Sequence, residues 1–310
     1  MIDFTNLPVR NKTYAGANGS KISVIYQQEQ YMLKFPTVPS RNREMSYTNG
    51  CVSEYIGCHI FASIGIPVQE TLLGTYTRNG KTKIVVACKD FTANGLTLQD
   101  FASLKNTMID SVHNGYGTEL SDILTTLEEQ RAMEPDTLIK WFWDLFIVDA
   151  LIGNWDRHNG NWGFLYNNAT DEITLAPVYD CGSCLFPQAD ENIMKKVLEN
   201  PAERDLRVFE IPLSGIKING QKIRYFDFIS SLQNEDCNQA LQRILPRINM
   251  EKICQIVDTT PFLSRLQKTF YKTILKERKE RILNFSYQKL CKRKIQAVQR
   301  LRNSGPERIK

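Results

Sequence analysis

The sequence predicts an α+β protein of two lobes, a small β-rich N-terminal lobe and a larger helical C-terminal one. Alternating apolar positions dominate up to about Phe91, and helical spacing dominates beyond Thr92. With 310 residues and 42% apolar content, the chain can build one large or two modest cores. The expected division is residues 1–91 and 92–310.

In the N-terminal part, residues 13–35 place Ile22, Val24, Tyr31 and Leu33 at alternating positions, the pattern of a hairpin that begins beside a glycine-containing loop. Residues 47–64 carry Val52, Tyr55, Ile56, Ile60 and Phe61 at helical spacing, and Gly65-Ile66-Pro67 stops that helix. Two strand-like runs follow, 69–77 and 81–89, joined by the hairpin turn Arg78-Asn79-Gly80.

In the C-terminal part the spacing predicts helices over 97–112, 119–133 and 136–152, then a hairpin over 162–176 turning at Asn167 to Asp171. Helical patterns resume after about Phe226 and run nearly to the end.

Composition excludes several classes. The first thirty residues hold no basic start followed by an apolar run, because Asp3, Asn6, Arg10, Asn11 and Lys12 interrupt it. The most apolar helix, around 139–152, carries Lys140, Asp144 and Asp149, so no membrane span is expected. A cytoplasmic protein follows, with export lacking a classical signal left open. The 8 cysteines read as reduced thiols, and Cys181 and Cys184 as packing around a turn.

Net charge is +5, but residues 268–310 hold fourteen Lys or Arg against three acids, +11, which leaves −6 for residues 1–267. The basic end reads as amphipathic helices packed on the helical lobe. Contact with nucleic acid or an acidic partner is the minor alternative.

The stretch 152–184 carries the chemistry. Asp156 and Asn161 are separated by four residues, the spacing between the catalytic-loop Asp and the Mg²⁺-binding Asn of protein kinases. A loop of that length can aim a carboxylate at an accepting hydroxyl while an amide oxygen reaches a cation. The following hairpin returns the chain to Asp180, whose hard oxygen suits Mg²⁺ bridging the β- and γ-phosphates of ATP. Any one of these residues alone would be an ordinary turn residue. Their order around a hairpin, after a long apolar helix, points to a protein-kinase-like fold.

Kinase chemistry also needs groups upstream. Lys34 lies in a strand just after the glycine loop, where an amine can reach the α- and β-phosphates. Glu54, on the next helix, is its expected ion-pair partner, although spacing leaves Glu44 open. Gly16 and Gly19 can bring backbone N–H groups to phosphates, with Thr13, Ser20 and Lys21 nearby. That loop matches neither G-x-G-x-x-G nor the Walker A pattern, and a plain hairpin turn is the competing reading. Ala87, Cys88 and Lys89, at the end of the sheet, are the candidates for hydrogen bonds to adenine.

With these residues named, the chain resembles the HipA-like serine/threonine kinases, in which a helix leads into a D-x-H-x-x-N loop and later a Y-D motif. Here these are Asp156-Arg157-His158-Asn159-Gly160-Asn161 and Tyr179-Asp180. Ala15-Gly16-Ala17 and Leu33-Lys34-Phe35-Pro36 are similar to that family's phosphate loop and lysine strand. The likeness spans about residues 12–285, and within the family the compact cell-translocating bacterial form is the nearer pattern. Typical members carry a further N-terminal region, so antitoxin docking is not implied. The loop is also similar to the D-R-H-x-x-N loop of phosphoinositide kinases, which makes His158 a rival to Asp156 as proton acceptor.

The expected function is transfer of the γ-phosphoryl group from ATP to a protein Ser or Thr, using Mg²⁺, with autophosphorylation near Thr13 or Ser20. A lipid or small-molecule kinase of the same fold is the alternative in the same class. A non-catalytic module acting through the basic end is the alternative outside it.

Overall fold

In a computed structural model, residues 2–14, 21–36, 48–92, 95–108 and 115–303 are described. Strands β1 (Ile2–Asp3), β2 (Val9–Arg10), β3 (Lys21–Tyr26), β4 (Glu29–Lys34), β5 (Thr71–Arg78) and β6 (Lys81–Lys89) form one sheet in the order β1-β5-β6-β4-β3-β2. Only β1 pairs parallel; the other ladders are antiparallel. Asn79 and Gly80 both have positive φ, 52° and 70°, as a two-residue hairpin turn demands.

The strand period separates the two faces of this sheet. Val24, Tyr31, Leu33, Val85 and Ala87 pack with Phe4 on one side. Leu73, Val86 and Cys88 face the other, against helix α1 (Gly50–Ile64) and the main core. Lys34 follows Leu33 and pairs with Val86, so it emerges on the α1 side. Helix α1 ends at Gly65 in the left-handed region, φ 77°.

Beyond the sheet, β7 (Leu96–Asp100) joins β8 (Gly163–Asn167) and β9 (Glu172–Leu175) in a second sheet. Helices α2 (Phe101–Met108), α3 (Leu120–Glu129) and α4 (Pro135–Ile152) follow β7. Pro135 opens α4 and Gly153, φ 65°, closes it. Eleven residues of α4 are buried, and each Leu or Phe among them contributes about 1.5–3 kcal/mol. This makes α4 a rigid base for the loop that follows.

Further on lie α5 (Glu191–Glu199), α6 (Pro201–Asp205), the hairpin β10 (Lys217–Ile218) and β11 (Gln221–Lys222), and α7 (Tyr225–Ser231). Helices α8 (Glu235–Ile244), α9 (Met250–Thr259), α10 (Arg265–Arg278) and α11 (Phe285–Asn303) complete the larger lobe. Among the described residues no helix is long and apolar enough to cross a membrane.

Two expectations need correction. The helix expected from residue 97 starts at Phe101, because Leu96–Asp100 is a strand paired with β8. Leu96 and Leu98 alternate onto Leu165 and Tyr179, and Asp100 caps the shortened helix through Ser103 N at 2.8 Å. Helices also resume at Glu191, well before Phe226; Asp190 caps α5 and Pro201 opens α6.

Candidate active site

Lys34 sits where three distant segments meet. Its Nζ lies 3.1 Å from Glu54 Oε2 on α1 and 3.1 Å from Asp180 Oδ1 after β9. Burial disfavours the ammonium, yet the Asp180 and Glu54 carboxylates outweigh it and hold the Lys34 pKa well above its ordinary value. Glu54 is almost fully buried, and its second oxygen accepts the Cys181 N–H at 3.1 Å. The carboxylate is thereby fixed by α1, Lys34 and the residue after Asp180 together. Its rival Glu44 lies outside the described residues, as do Gly16, Ala17, Gly19 and Ser20 of the expected phosphate loop.

Asp180 holds the left-handed conformation, φ 58°, and its side chain is 43% exposed. Burial pushes its pKa up, but Lys34, Lys21 and Arg157 outweigh that and leave it lowered. Lys21 stands directly opposite Lys34 across the β3–β4 ladder. These neighbouring cations keep the Asp180 carboxylate ionised.

The catalytic loop is anchored by a residue the sequence reading passed over. Arg157 is buried and bidentate on Asp149 of α4, Nε at 3.0 Å and Nη2 at 3.2 Å. Its Nη1 also donates to the carbonyls of Asn161 at 2.9 Å and Tyr179 at 2.5 Å. One guanidinium thus clamps the end of the loop to the strand leading into Asp180. Asn159 donates to the carbonyls of Gly115 and Gly117, and Asn161 Nδ2 donates to Asp156 O at 2.8 Å. That bond uses the amide nitrogen of Asn161 and leaves its oxygen for a cation.

Asp156 forms its hydrogen bonds through its backbone, accepting His158 N–H at 2.9 Å and donating to Asn154 Oδ1 at 3.3 Å. Among the described residues its carboxylate has no hydrogen-bond donor and stays open to an incoming hydroxyl. Burial raises its pKa, His158 opposes that rise and Asp180 adds to it. His158 Nδ1 accepts the Gly160 N–H at 3.0 Å. The neutral imidazole therefore carries its proton on Nε2, which makes it a donor. That tautomer gives His158 an N–H to donate, while the Asp156 carboxylate offers only acceptor oxygens.

The adenine expectation shifts. Strand β6 lies between β5 and β4, so Ala87 and Cys88 spend their backbone groups in ladders on both sides. Lys89 N–H donates to Glu70 O at 2.8 Å and its carbonyl accepts from Gln69 Nε2 at 2.9 Å. A central strand has no free edge for a base. Beyond it Asp90 N–H donates to Gln30 O at 2.8 Å, and the buried Asp90 carboxylate gathers Lys12 at 2.7 Å, Tyr14 at 2.9 Å and Gln30 at 3.0 Å.

Against known protein families, residues 9–206 match the HipA-like C-terminal domain. The chain belongs to the HipA-like family. It is 50% identical over 300 residues to the serine/threonine-protein kinase CtkA of Helicobacter pylori, covering 96% of this chain and 91% of that protein. The crystal structure of a Helicobacter pylori proinflammatory kinase CtkA superposes with TM-score 0.89, covering 94% of this chain and 98% of that one. HipA from a Shewanella oneidensis toxin–antitoxin complex with HipB and operator DNA shares the fold, at TM-score 0.56 and 14% identity over 90% of this chain and 67% of that one. This HipA-like chain is a kinase with a small sheet-rich lobe and a helical one.

The domain match takes in Lys34, Glu54, Asp156, Asn161 and Asp180, and it stops short of β10 and β11. Among the described residues no cluster of three or more His, Cys, Asp or Glu side chains could hold a metal. A kinase Mg²⁺ needs only one or two protein oxygens, the rest coming from phosphates and water, and Asp180 with Asn161 fits that need.

Proposed function

We propose that this HipA-like kinase transfers the γ-phosphoryl group of ATP to a serine or threonine hydroxyl of a protein, with Asp156 receiving the hydroxyl proton. The observation that supports it most is Lys34 held 3.1 Å from both Glu54 and Asp180 while the Asp156 carboxylate stays open. Lys34 would turn its charge to the non-transferred phosphates, kept in place by Glu54. Asn161 and Asp180 would hold Mg²⁺, which supplies neutralisation of charge on the β- and γ-phosphates.

Asp156 acts late: its carboxylate, with a pKa raised by burial, takes the proton as the hydroxyl oxygen bonds to the γ-phosphorus and the bond from that phosphorus to the β–γ bridging oxygen breaks, releasing ADP. His158, with Nδ1 occupied by the Gly160 N–H, would donate from Nε2 to an oxygen of the bound substrates. Asp90-Phe91-Thr92, just past β6, would border adenine, and lobes 1–91 and 92–310 close around the nucleotide. Autophosphorylation at Thr13 or Ser20 belongs to the same reading.

Transfer from labelled Mg²⁺-ATP is measured on protein, phosphoinositide and small-molecule acceptors, with Asp156→Ala and Asp180→Ala alongside and phosphosites mapped. Label on protein Ser or Thr, lost in both variants, is expected. Undiminished transfer in both variants would remove the site, and label on lipid alone would remove the acceptor.

A further inference from the structure

Outside the matched family domain, β10 and β11 form a hairpin with Lys217 directly opposite Lys222. Residues opposed in an antiparallel pair share one face, and like charges there are unfavourable. Among the described residues neither lysine forms an ion pair that would relieve this. Lys222 is exposed and Lys217 partly so.

The hairpin is fixed against the catalytic loop. Lys217 N–H donates to Thr118 O at 2.8 Å, and Glu119 accepts the N–H groups of Asn219 at 2.5 Å and Gly220 at 3.0 Å. At its base, a Cβ on Gly215 would lie 3.0 Å from the carbonyl oxygen and 3.3 Å from the nitrogen of Arg157. Glycine thus lets the hairpin rest on the backbone next to Asp156, where a side chain would push it back by a few tenths of an ångström.

The hairpin thus rests on the backbone one residue from Asp156, whose carboxylate also feels Lys222, while Lys34 meets Glu54 and Asp180 from β4. On the kinase reading it borders the side from which the acceptor hydroxyl arrives.

We propose that Lys222, with Lys217 opposite it, selects protein acceptors that carry an acidic side chain near the phosphorylated Ser or Thr. This rests on the protein-kinase reading above. An extended peptide advances ~3.3 Å per residue, so three positions on either side of the acceptor reach about 10 Å, the range in which the acid is sought. The lysine pair, which forms no salt bridge among the described residues, then gains a carboxylate, or a phosphate already present on the substrate, and the like-charge contact is relieved on binding.

The full chain is assayed with serine peptides identical except for Asp, Ala or Lys placed within three positions of the acceptor. The native protein is expected to favour Asp over Lys by about tenfold or more in kcat/KM. Lys222→Gln should erase most of that preference, and Lys217→Glu with Lys222→Glu should invert it, each with KM for ATP unchanged. Equal kcat/KM for Asp and Lys peptides in the native protein would overturn the inference and leave the kinase standing. So would a raised KM for ATP in Lys222→Gln with the peptide preference intact, since that places the charge on the nucleotide. Failure to phosphorylate any protein or peptide would sink both.

Discussion

The two halves of the site are held in different ways. Around the nucleotide lysine, side-chain charges hold one another: Lys34 is shared by Glu54 and Asp180, with Lys21 across the ladder. Around the acceptor, the catalytic loop is held by a buried ion pair away from the ligand space, Arg157 on Asp149, whose guanidinium also takes the carbonyls of Asn161 and Tyr179. The first arrangement can be redistributed when phosphates arrive, because every member is a charge that a ligand can replace. The second cannot, and it leaves the Asp156 carboxylate without a donor. A site for phosphoryl transfer gains from both, a charged half that adapts to a polyanion and a rigid half that presents a base.

Removing the base tests that contrast most strongly. Asp156→Asn should lower kcat by about 10²–10⁴ with little change in KM for ATP. The same change should raise Tm. A carboxylate whose folded pKa is raised above its unfolded value opposes folding once it is ionised, so a neutral isostere relieves that penalty at neutral pH. An unchanged kcat, or a fall in Tm, would show that Asp156 is a structural part of the loop.

The anchor of the rigid half comes next. Arg157→Met leaves Asp149 buried without its cation and should destabilise the protein by about 3–5 kcal/mol, read as denaturant midpoint. Lys34→Met also leaves a buried carboxylate, Glu54, without its cation, but should be milder in stability, because Asp180 is partly solvated and Lys34 lacks the two backbone carbonyls that Arg157 also holds. Its loss appears in activity instead. If Lys34→Met unfolds the chain as readily as Arg157→Met, the contrast between the halves is wrong.

The charged half was far easier to read from sequence. Lys34, Glu54 and Asp180 are residue types whose order along the chain already implies a meeting, and the structure brings them within 3.1 Å. The rigid half was not, because Arg157 matters only through Asp149, Tyr179 and Asn161, contacts that no spacing displays. The sheet shows the same limit. Residues 87–89 read as a strand end, and only the order β5-β6-β4 reveals that their backbone is enclosed. Likewise β7 finds its partner β8 more than sixty residues away, which local pattern cannot register, while the caps Asp190 and Asn200, the latter followed by Pro201, were visible signals of α5 and α6.

A smaller effect separates the two candidates for the proton. His158→Gln should reduce kcat by no more than about tenfold, since an Nε2–H donor is lost and the base is kept. The acid limb of the kcat/KM profile should also move to higher pH, because His158 opposes the rise of the Asp156 pKa. Loss of the acid limb altogether would make His158 the base after all.

The smallest effect tests how closely the halves are joined. Gly57 lies in the middle of α1, where Ala would ordinarily gain about 0.5–1 kcal/mol. A Cβ there would meet Cys181 Cβ at 2.8 Å and Cys184 Sγ at 3.0 Å, the turn just past Asp180. The helix that carries Glu54 accepts the weaker residue so that this turn can pack against it. Gly57→Ala should therefore lose stability by about 1–3 kcal/mol, as overpacked sites do, and raise KM for ATP by displacing Cys181 from Glu54. A gain in stability with KM unchanged would mean that the turn has room to move and that Glu54 holds its place without it.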